Sequence, residues 1–289
     1  MHSDKQFSIE IFPPKSPEGK INLTNTVNEL NTLGPLFFSC TYGAGGSTRD
    51  TTKGMVLDML AAGIDTAPHL SFGSDDEDTI LALIKEYKAA GAKRIVALRG
   101  DIPAGMNSNR KLTHADELVR FIRHHTGNYF HIEVAAYPEI HPEAPSYEQD
   151  IRFLKGKFDA GANSGITQYF FNADAYFYFL EECHKQGIEQ PIFPGIMPLT
   201  NFANIARFSA NCGADIPRWL AKKLEGYGDD INALRAFGEA FITDMCERLL
   251  AGGAPGLHFY SMNSVEPVKT LWHNLGIEAA CGSADSTVV

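Results

Sequence analysis

Polar and charged residues close most of the apolar, strand-like runs of this chain. Ser8-Ile9-Glu10 ends the first run, Thr41-Tyr42 follows Phe37-Phe38-Ser39-Cys40, and Pro68-His69 ends a third. Arg99-Gly100-Asp101 follows Ala97-Leu98, and Tyr137-Pro138-Glu139 follows Ala135-Ala136. Thr167-Gln168 closes a sixth run, and the last leads into Tyr260-Ser261-Met262-Asn263. A carboxylate set between Ile9 and Ile11 must find partners or hold its proton more tightly, because burial disfavours charge. A carboxyl group becomes a general acid near neutral pH in that way. Glu10 reads either as such an acid or as the buried partner of a structural arginine or of backbone amides. The Phe12-Pro13-Pro14 stop just after it favours a place at the end of a strand.

Other candidates carry a bland reading beside the chemical one. Asp101, next to Arg99, is expected to stay ionised, and Gly100 would admit a flat ligand; a helix cap or a loop ion pair is the alternative. His69 could donate to a ligand carbonyl or satisfy a neighbouring backbone group. Tyr137, Glu139, His141 and Glu143 lie on a loop stiffened by Pro138 and Pro142, and polar groups on a rigid loop suggest ligand contact. His and Glu together also invite zinc, yet HxE and ExH spacings are not the HExxH helix motif, so no metal is expected. Asp150, Lys157 and Asp159 fit a solvated helix face. No GxSxG elbow is present, and Cys40 reads as a packed strand residue rather than a nucleophile.

These ends share a site only if the elements behind them bring them together. Strands are predicted at Phe7–Ile11, Leu36–Cys40, Asp65–Leu70, Arg94–Leu98, His131–Ala136, Gly165–Tyr169, Gln190–Pro194 and Gly256–Tyr260. Amphipathic stretches fall between them, such as Asp76–Ala90, Ala115–His124, Tyr147–Ala160, Asp174–Gln186 and Ile231–Leu250. Ile80, Leu81, Leu83, Ile84 and Tyr87 recur at the spacing of one buried helix face. Glycines at 63, 91, 161 and 253 follow helix-like segments, as left-handed caps require.

Alternation of this kind implies parallel strands with helical crossovers. Eight strands favour an α/β fold closed as a (β/α)8 barrel over an open doubly wound sheet. Its strand carboxyl ends would then form one rim. The long gap before the last strand is expected to hold additional helix, around Asn201–Asn211 and Ile216–Leu224. One domain is expected over residues 1–280, with a disordered tail at 281–289. The loop Gly43-Ala44-Gly45-Gly46-Ser47-Thr48 lacks the G-x-G-x-x-G spacing and is a weak dinucleotide-fold signal.

Composition narrows the partners. A formal net charge of −10 lacks the basic face that a general nucleic-acid or membrane-surface binder needs, so an anionic ligand must meet local positive groups. Five scattered cysteines without a CxxC pair read as reduced thiols in a cytoplasm. Neither a secretion signal nor an apolar membrane span is visible.

The motifs that carry chemistry also resemble a known family. Ser8-Ile9-Glu10-Ile11-Phe12-Pro13-Pro14-Lys15, Cys40-Thr41-Tyr42-Gly43-Ala44, Ala67-Pro68-His69-Leu70 and Ala97-Leu98-Arg99-Gly100-Asp101 are similar to the motifs of methylenetetrahydrofolate reductase. So are the segments 135–144, 159–163, 166–171, 194–198 and 258–260, in family order from about Phe7 to Gly276. The resemblance is to the short bacterial type, a catalytic barrel without a regulatory domain.

That resemblance implies a flavoenzyme with FAD tightly bound at the barrel rim, reduced by NADH or NADPH. The product leaves and 5,10-methylenetetrahydrofolate replaces it, to be reduced to 5-methyltetrahydrofolate for methionine synthesis. Glu10 matches the family's general acid and Asp101 the acid near both flavin and pterin. Thr41, Tyr42, His69, Arg99, Gly100, Asp101, Ala115, Tyr137, His141, Ala144, Asp150 and Lys157 fall at flavin-contact positions. Asp101, Gln168, Asn204 and Phe208 match substrate-binding positions, Asn204 standing where the family commonly has Gln. Phe153 and Gly156 replace an Asn and an Arg that meet the cofactor, His114 replaces a tyrosine on the adenosine side, and Ser264 replaces a larger polar residue near the folate. A homo-oligomer is compatible with this reading. The alternatives are a flavin-independent folate barrel, such as a folate-dependent methyltransferase, and a catalytically silent folate-binding barrel.

Overall fold

The computed structural model describes residues 4–42, 49–73, 75–99 and 114–278. Its strands are β1 (Gln6–Ile11), β2 (Phe37–Cys40), β3 (Thr66–Leu70), β4 (Arg94–Ala97), β5 (His131–Ala136), β6 (Ser164–Thr167), β7 (Ile192–Phe193), β8 (Gly195–Ile196) and β9 (Gly256–Tyr260). The helices are α1 (Pro17–Asn31), α2 (Arg49–Ala61), α3 (Glu77–Ala89), α4 (Ala115–Thr126), α5 (Tyr147–Asp159), α6 (Ala173–Lys185), α7 (Phe202–Cys212), α8 (Arg218–Glu225), α9 (Ile231–Ala251) and α10 (Val265–Asn274). Every strand pairing is parallel, in the order β7-β6-β5-β4-β3-β2-β1-β9-β8.

The two ends of that row are one piece of chain. Only Pro194 separates β7, which pairs with β6, from β8, which pairs with β9. Proline has no N–H to give to a ladder, but its carbonyl accepts from His258 N at 3.0 Å. The expected seventh strand at Gln190–Pro194 is therefore two short segments, with Pro194 between them and Ile196 at its true end. The sheet closes through them into the expected (β/α)8 barrel. α7 and α8 fill the long interval before β9, where extra helix was expected.

Local sequence explains the elements. Ser16 caps α1 by accepting from Gly19 N, Pro17 opens it, and Leu23, Val27 and Leu30 form its buried stripe. Gly91 ends the turn after α3 at φ 91°, a conformation that disfavours a Cβ. At Gly256, where β9 enters beside β1, a Cβ would lie 1.7 Å from the Gln6 carbonyl oxygen.

Strand alternation separates two interiors. Ile9, Ile11, Phe38, Ile95, Val134 and Phe259 face the helices in the larger core. Phe37, Ala67, Val96, Ile166 and Phe193 pack together as a second, smaller core. At the amino-terminal end of the barrel, Glu133 is fully buried and 3.0 Å from Arg94. Its carboxylate also accepts from Ser164 Oγ and lies 3.2 Å from His131 Nε2. The Arg94 guanidinium stacks over Phe37, 4.8 Å from the ring centroid. This end of a barrel is the one that serves stability.

Burial alone would raise the Glu133 pKa, but the His131, Ser164 and Arg94 contacts outweigh it and hold the carboxyl below its ordinary 4.5. A depressed pKa contributes stability that is present above the unfolded value and lost as pH falls through the folded one. The denaturation midpoint is therefore expected to drop below about pH 4.5, less steeply in Glu133→Gln. At neutral pH, Glu133→Ala should cost about 3–5 kcal/mol by leaving Arg94 buried and unpaired. Chemical denaturation across pH measures both.

Candidate active site

β1 delivers Glu10 to the carboxyl end of the barrel, and period-two alternation turns it inward while Ile9 and Ile11 join the outer core. Its Oε2 lies 3.4 Å from His69 Nε2 on β3 and 3.7 Å from His258 Nε2 on β9. His258 is fully buried, with Nδ1 2.7 Å from Ser8 Oγ and Nε2 3.5 Å from Ser39 Oγ. The His69–Glu10 distance suits an ion pair, but the angle makes no hydrogen bond, and among the described residues the buried His69 Nε2 has no hydrogen-bond partner. Among the described residues Glu10 thus pairs with no arginine. Two imidazoles stand beside it, and Ser39 and Tyr260 are its register partners on the neighbouring strands.

Tyr260 completes this wall. Its hydroxyl donates to the Thr167 carbonyl at 2.7 Å, and burial holds its proton far more tightly than usual. The ring lies so close to Gly195 that a Cβ there would sit 2.6 Å from Cε2 and 2.2 Å from Thr167 O. Burial, with the charge of Glu10, also pushes up the Cys40 thiol, which fits its expected role as a packed residue.

A second group gathers beyond β4 and β5. Exposed Arg99 pairs with Glu143, and Tyr137 meets the His141 ring edge-on at 4.5 Å. Asp150, at the start of α5, accepts from His141 N at 2.8 Å, while Glu143 N donates to His141 Nδ1 at 3.0 Å. His141 is therefore committed to its own loop, which leaves that nitrogen unavailable for a metal. The Lys157 ammonium donates to the Ala135 carbonyl at 2.8 Å, and desolvation lowers its pKa to about 8 against the pull of Asp150. Asp150 is shifted upward by burial. Asp150 and Lys157 are thus not the solvated face that helix periodicity alone suggested. Ala144 N donates to His141 O, and Ala115 opens α4 behind His114.

Thr41 and Tyr42 follow β2. Thr41 N donates to Ile11 O, and Tyr42 donates to Asp75, which also pairs with Arg49. Gln168 follows β6 and lines a cleft with Tyr137, Glu139, Tyr169, Cys212 and Ala214. Burial raises the Glu139 pKa to about 6 although its carboxylate accepts from Asp215 N. α7 carries exposed Asn204 and half-buried Phe208, whose ring lies 5.2 Å from the Arg207 guanidinium carbon. Tyr169 and Ser209 tie that helix to the rim at 3.0 Å. Gly100 and Asp101 lie outside the described residues.

Thr41, His69, Arg99, Tyr137 and Gln168 therefore all stand at strand carboxyl ends, as expected. Sequence reasoning named Tyr260 only as the end of the last run and missed His258 and Ser39 as wall residues. Their signal was present: polar residues alternating with apolar ones, as in His258-Phe259-Tyr260, mark an inward face of a closed sheet.

The family profile of methylenetetrahydrofolate reductase matches residues 1–276. The chain belongs to that family. It is 37% identical over 271 residues to 5,10-methylenetetrahydrofolate reductase of Escherichia coli (strain K12), covering 93% of this chain and 90% of that protein. It is 36% identical to methylenetetrahydrofolate reductase (NADH) 1 of Arabidopsis thaliana, where the match spans 94% of this chain and 48% of the plant protein. Among solved structures, an uncharacterized protein from Clostridium thermocellum that binds two copies of 5-methyl-5,6,7,8-tetrahydrofolic acid shares the fold at a TM-score of 0.66. That match is 17% identical and covers 95% of this chain and 94% of the other.

Burial pulls the His69 pKa below its ordinary 6.5, with the Glu10 charge opposing and His258 reinforcing the shift. The unfolded chain then takes up a proton that the folded one refuses, so stability present above pH 6.5 is lost as pH falls below it. His69→Gln is expected to flatten the stability slope between about pH 6.5 and 5 in denaturant titrations. A slope equal to the parent's would show that the imidazole titrates alike in both states.

Proposed function

We propose that this chain reduces 5,10-methylenetetrahydrofolate to 5-methyltetrahydrofolate in a ping-pong cycle, with NADH or NADPH as donor and FAD as resident cofactor. One observation carries the reading. In a member of this family, a strand-end carboxyl group sits at the barrel mouth beside two buried imidazoles and, among the described residues, pairs with no arginine. Family membership and the relatives' names support the reaction class.

The residues present fit a flat, anionic dinucleotide. His69 offers a buried ring nitrogen that has no hydrogen-bond partner among the described residues. Arg99 and Lys157 supply local positive charge in a chain of net charge −10. When bound, FAD supplies the hydride relay between nicotinamide and folate.

The chain's own groups do the remaining work. Glu10 protonates the folate nitrogen that leaves as the five-membered ring opens, so that the one-carbon unit becomes electrophilic. Gln168 offers its amide to either substrate and Phe208 its ring, while Asn204 sits one turn earlier on the same helix, toward the folate side. Thr41, Tyr42, Tyr137, His141, Ala144 and Asp150 frame the cofactor, and Asp101, with Gly100, is assigned beside the pterin. Among the described residues no helix is long and apolar enough to cross a membrane. The thiols of Cys40, Cys183, Cys212 and Cys246 are free, which supports action in a reducing cytoplasm.

The proton donor separates the two half-reactions. Glu10→Gln should still bind FAD and bleach with NAD(P)H at a near-parent rate, while reoxidation by methylenetetrahydrofolate slows by about 10²–10⁴-fold. Stopped-flow absorbance reads both steps. Loss of the first with retention of the second would make Glu10 a cofactor-positioning residue.

Phe153 is half exposed, and a Cβ at Gly156 would meet nothing within 4 Å. Gly156→Arg therefore has room, and a charge-assisted contact worth about 1.5–3 kcal/mol should slow FAD release several-fold or more. Flavin release on dilution measures this. Equal off-rates would place the AMP half of the cofactor away from α5.

A further inference from the structure

The turn after β9 is built in an unfavourable conformation, and burial does not account for it. Met262 has φ 51° and Asn263 φ 55°, the left-handed region that a Cβ disfavours. The Met262 side chain is 41% exposed, and the Phe12 side chain on the facing segment is 40% exposed. What holds the turn is polar. The Asn263 carboxamide takes both backbone groups of Phe12: Oδ1 accepts from Phe12 N at 3.0 Å, and Nδ2 donates to Phe12 O at 2.9 Å. Ser261 donates to the Glu10 carbonyl twice, from N at 3.2 Å and from Oγ at 2.6 Å. Asn263 N in turn donates to Ser261 Oγ at 3.1 Å.

The reason for such a device lies in β1. Its register with β9 runs to Glu10 opposite Tyr260. Three and four residues later come Pro13 and Pro14, neither of which has an N–H for a ladder. The Asn263 amide stands in for the missing peptide unit and adds one rung past Glu10. On the other side Thr41 N holds Ile11 O at 3.0 Å, so the chain that carries Glu10 is gripped from both neighbours. The Glu10 carboxylate has only the imidazoles at 3.4 and 3.7 Å as ion-pair partners among the described residues. Its place is set mainly by the backbone beneath it. Strain that persists at the edge of a site, held by contacts that over-determine it, points to function.

We infer that Asn263, acting with Ser261, is a positioning residue that fixes Glu10 against the folate, an assignment that rests on the proposed reduction of methylenetetrahydrofolate. Asn263 touches no reacting atom. It acts through the β1 backbone, on the folate half-reaction alone.

Asn263→Gly deletes the carboxamide while favouring the left-handed backbone, so the variant is expected to fold. Asn263→Asp keeps the acceptor for Phe12 N and loses the donor to Phe12 O. In the FAD-loaded enzyme, Asn263→Gly should accelerate hydrogen exchange at the Phe12 amide while the thermal midpoint and flavin content stay near the parent's. Bleaching by NAD(P)H should hold within about twofold, while reoxidation at saturating methylenetetrahydrofolate falls by about tenfold to a hundredfold, as expected for a misplaced catalytic group. The loss should appear in the limiting rate rather than in KM, with Asn263→Asp between the two. Parent-like reoxidation, equal loss of both half-reactions, or joint loss of FAD and thermal stability would overturn the assignment. A parent enzyme that bleaches with NAD(P)H but is not reoxidised by the folate would overturn the functional reading itself, whatever the exchange at Phe12 shows.

Discussion

Closure of the sheet across Pro194 is the constraint on which the site depends. Residues 192–196 bond to β6 on one side of the proline and to β9 on the other, which joins the ends of an otherwise open row of strands. Only in a closed ring do the inward residues of β1, β3 and β9 face one another across a narrow interior. Opened at this seam, the sheet could no longer enclose them, and the enclosure is what buries His69 and His258 beside Glu10. Gly195 stands at the seam because the Thr167 carbonyl and the Tyr260 ring approach too closely for any side chain, as the Gln6 backbone does at Gly256 where β9 meets β1.

The closed ring then holds two polar groupings with opposite logic. At the amino-terminal end, Glu133 is matched by Arg94, His131 and Ser164, and its charge is stabilised against the cost of burial. Such a grouping is complete in itself and has no capacity left for a ligand. At the carboxyl end, Glu10 and His69 are close but unaligned, and a buried ring nitrogen has no hydrogen-bond partner among the described residues. An incomplete grouping of this kind is poised to bind. The apolar layer around Phe37, Val96, Ile166 and Phe193 is a second core in its own right, distinct from the one beneath the helices.

Charge follows the same division. The chain is strongly acidic overall, yet Arg99 and Lys157 meet near the loop after β5. Each is restrained by a carboxylate or a carbonyl, so their positive charge is directed rather than diffuse. Lys157 is desolvated enough that its pKa falls to about 8, which makes its ammonium sensitive to any further anion brought near.

Much of this was legible in the chain. Strand runs, helix stripes and glycine caps fixed the barrel, because those patterns are local consequences of backbone geometry and of burying one face. The polar ends of the runs named Glu10, His69, Arg99, Tyr137 and Gln168 before any coordinates, since parallel strands put such ends on one rim. Other features depended on contacts between residues far apart in sequence. Whether Glu10 met an arginine or imidazoles was undetermined until β1, β3 and β9 were placed side by side. The grip of Asn263 on Phe12 spans 251 residues, and no local pattern encodes it. Sequence by itself determined the elements, their order and the residues at their ends, because these follow from propensity and periodicity along the chain. Tertiary structure alone decided which of those residues meet and which are left unpaired, because proximity, desolvation and strain arise only when the ring closes.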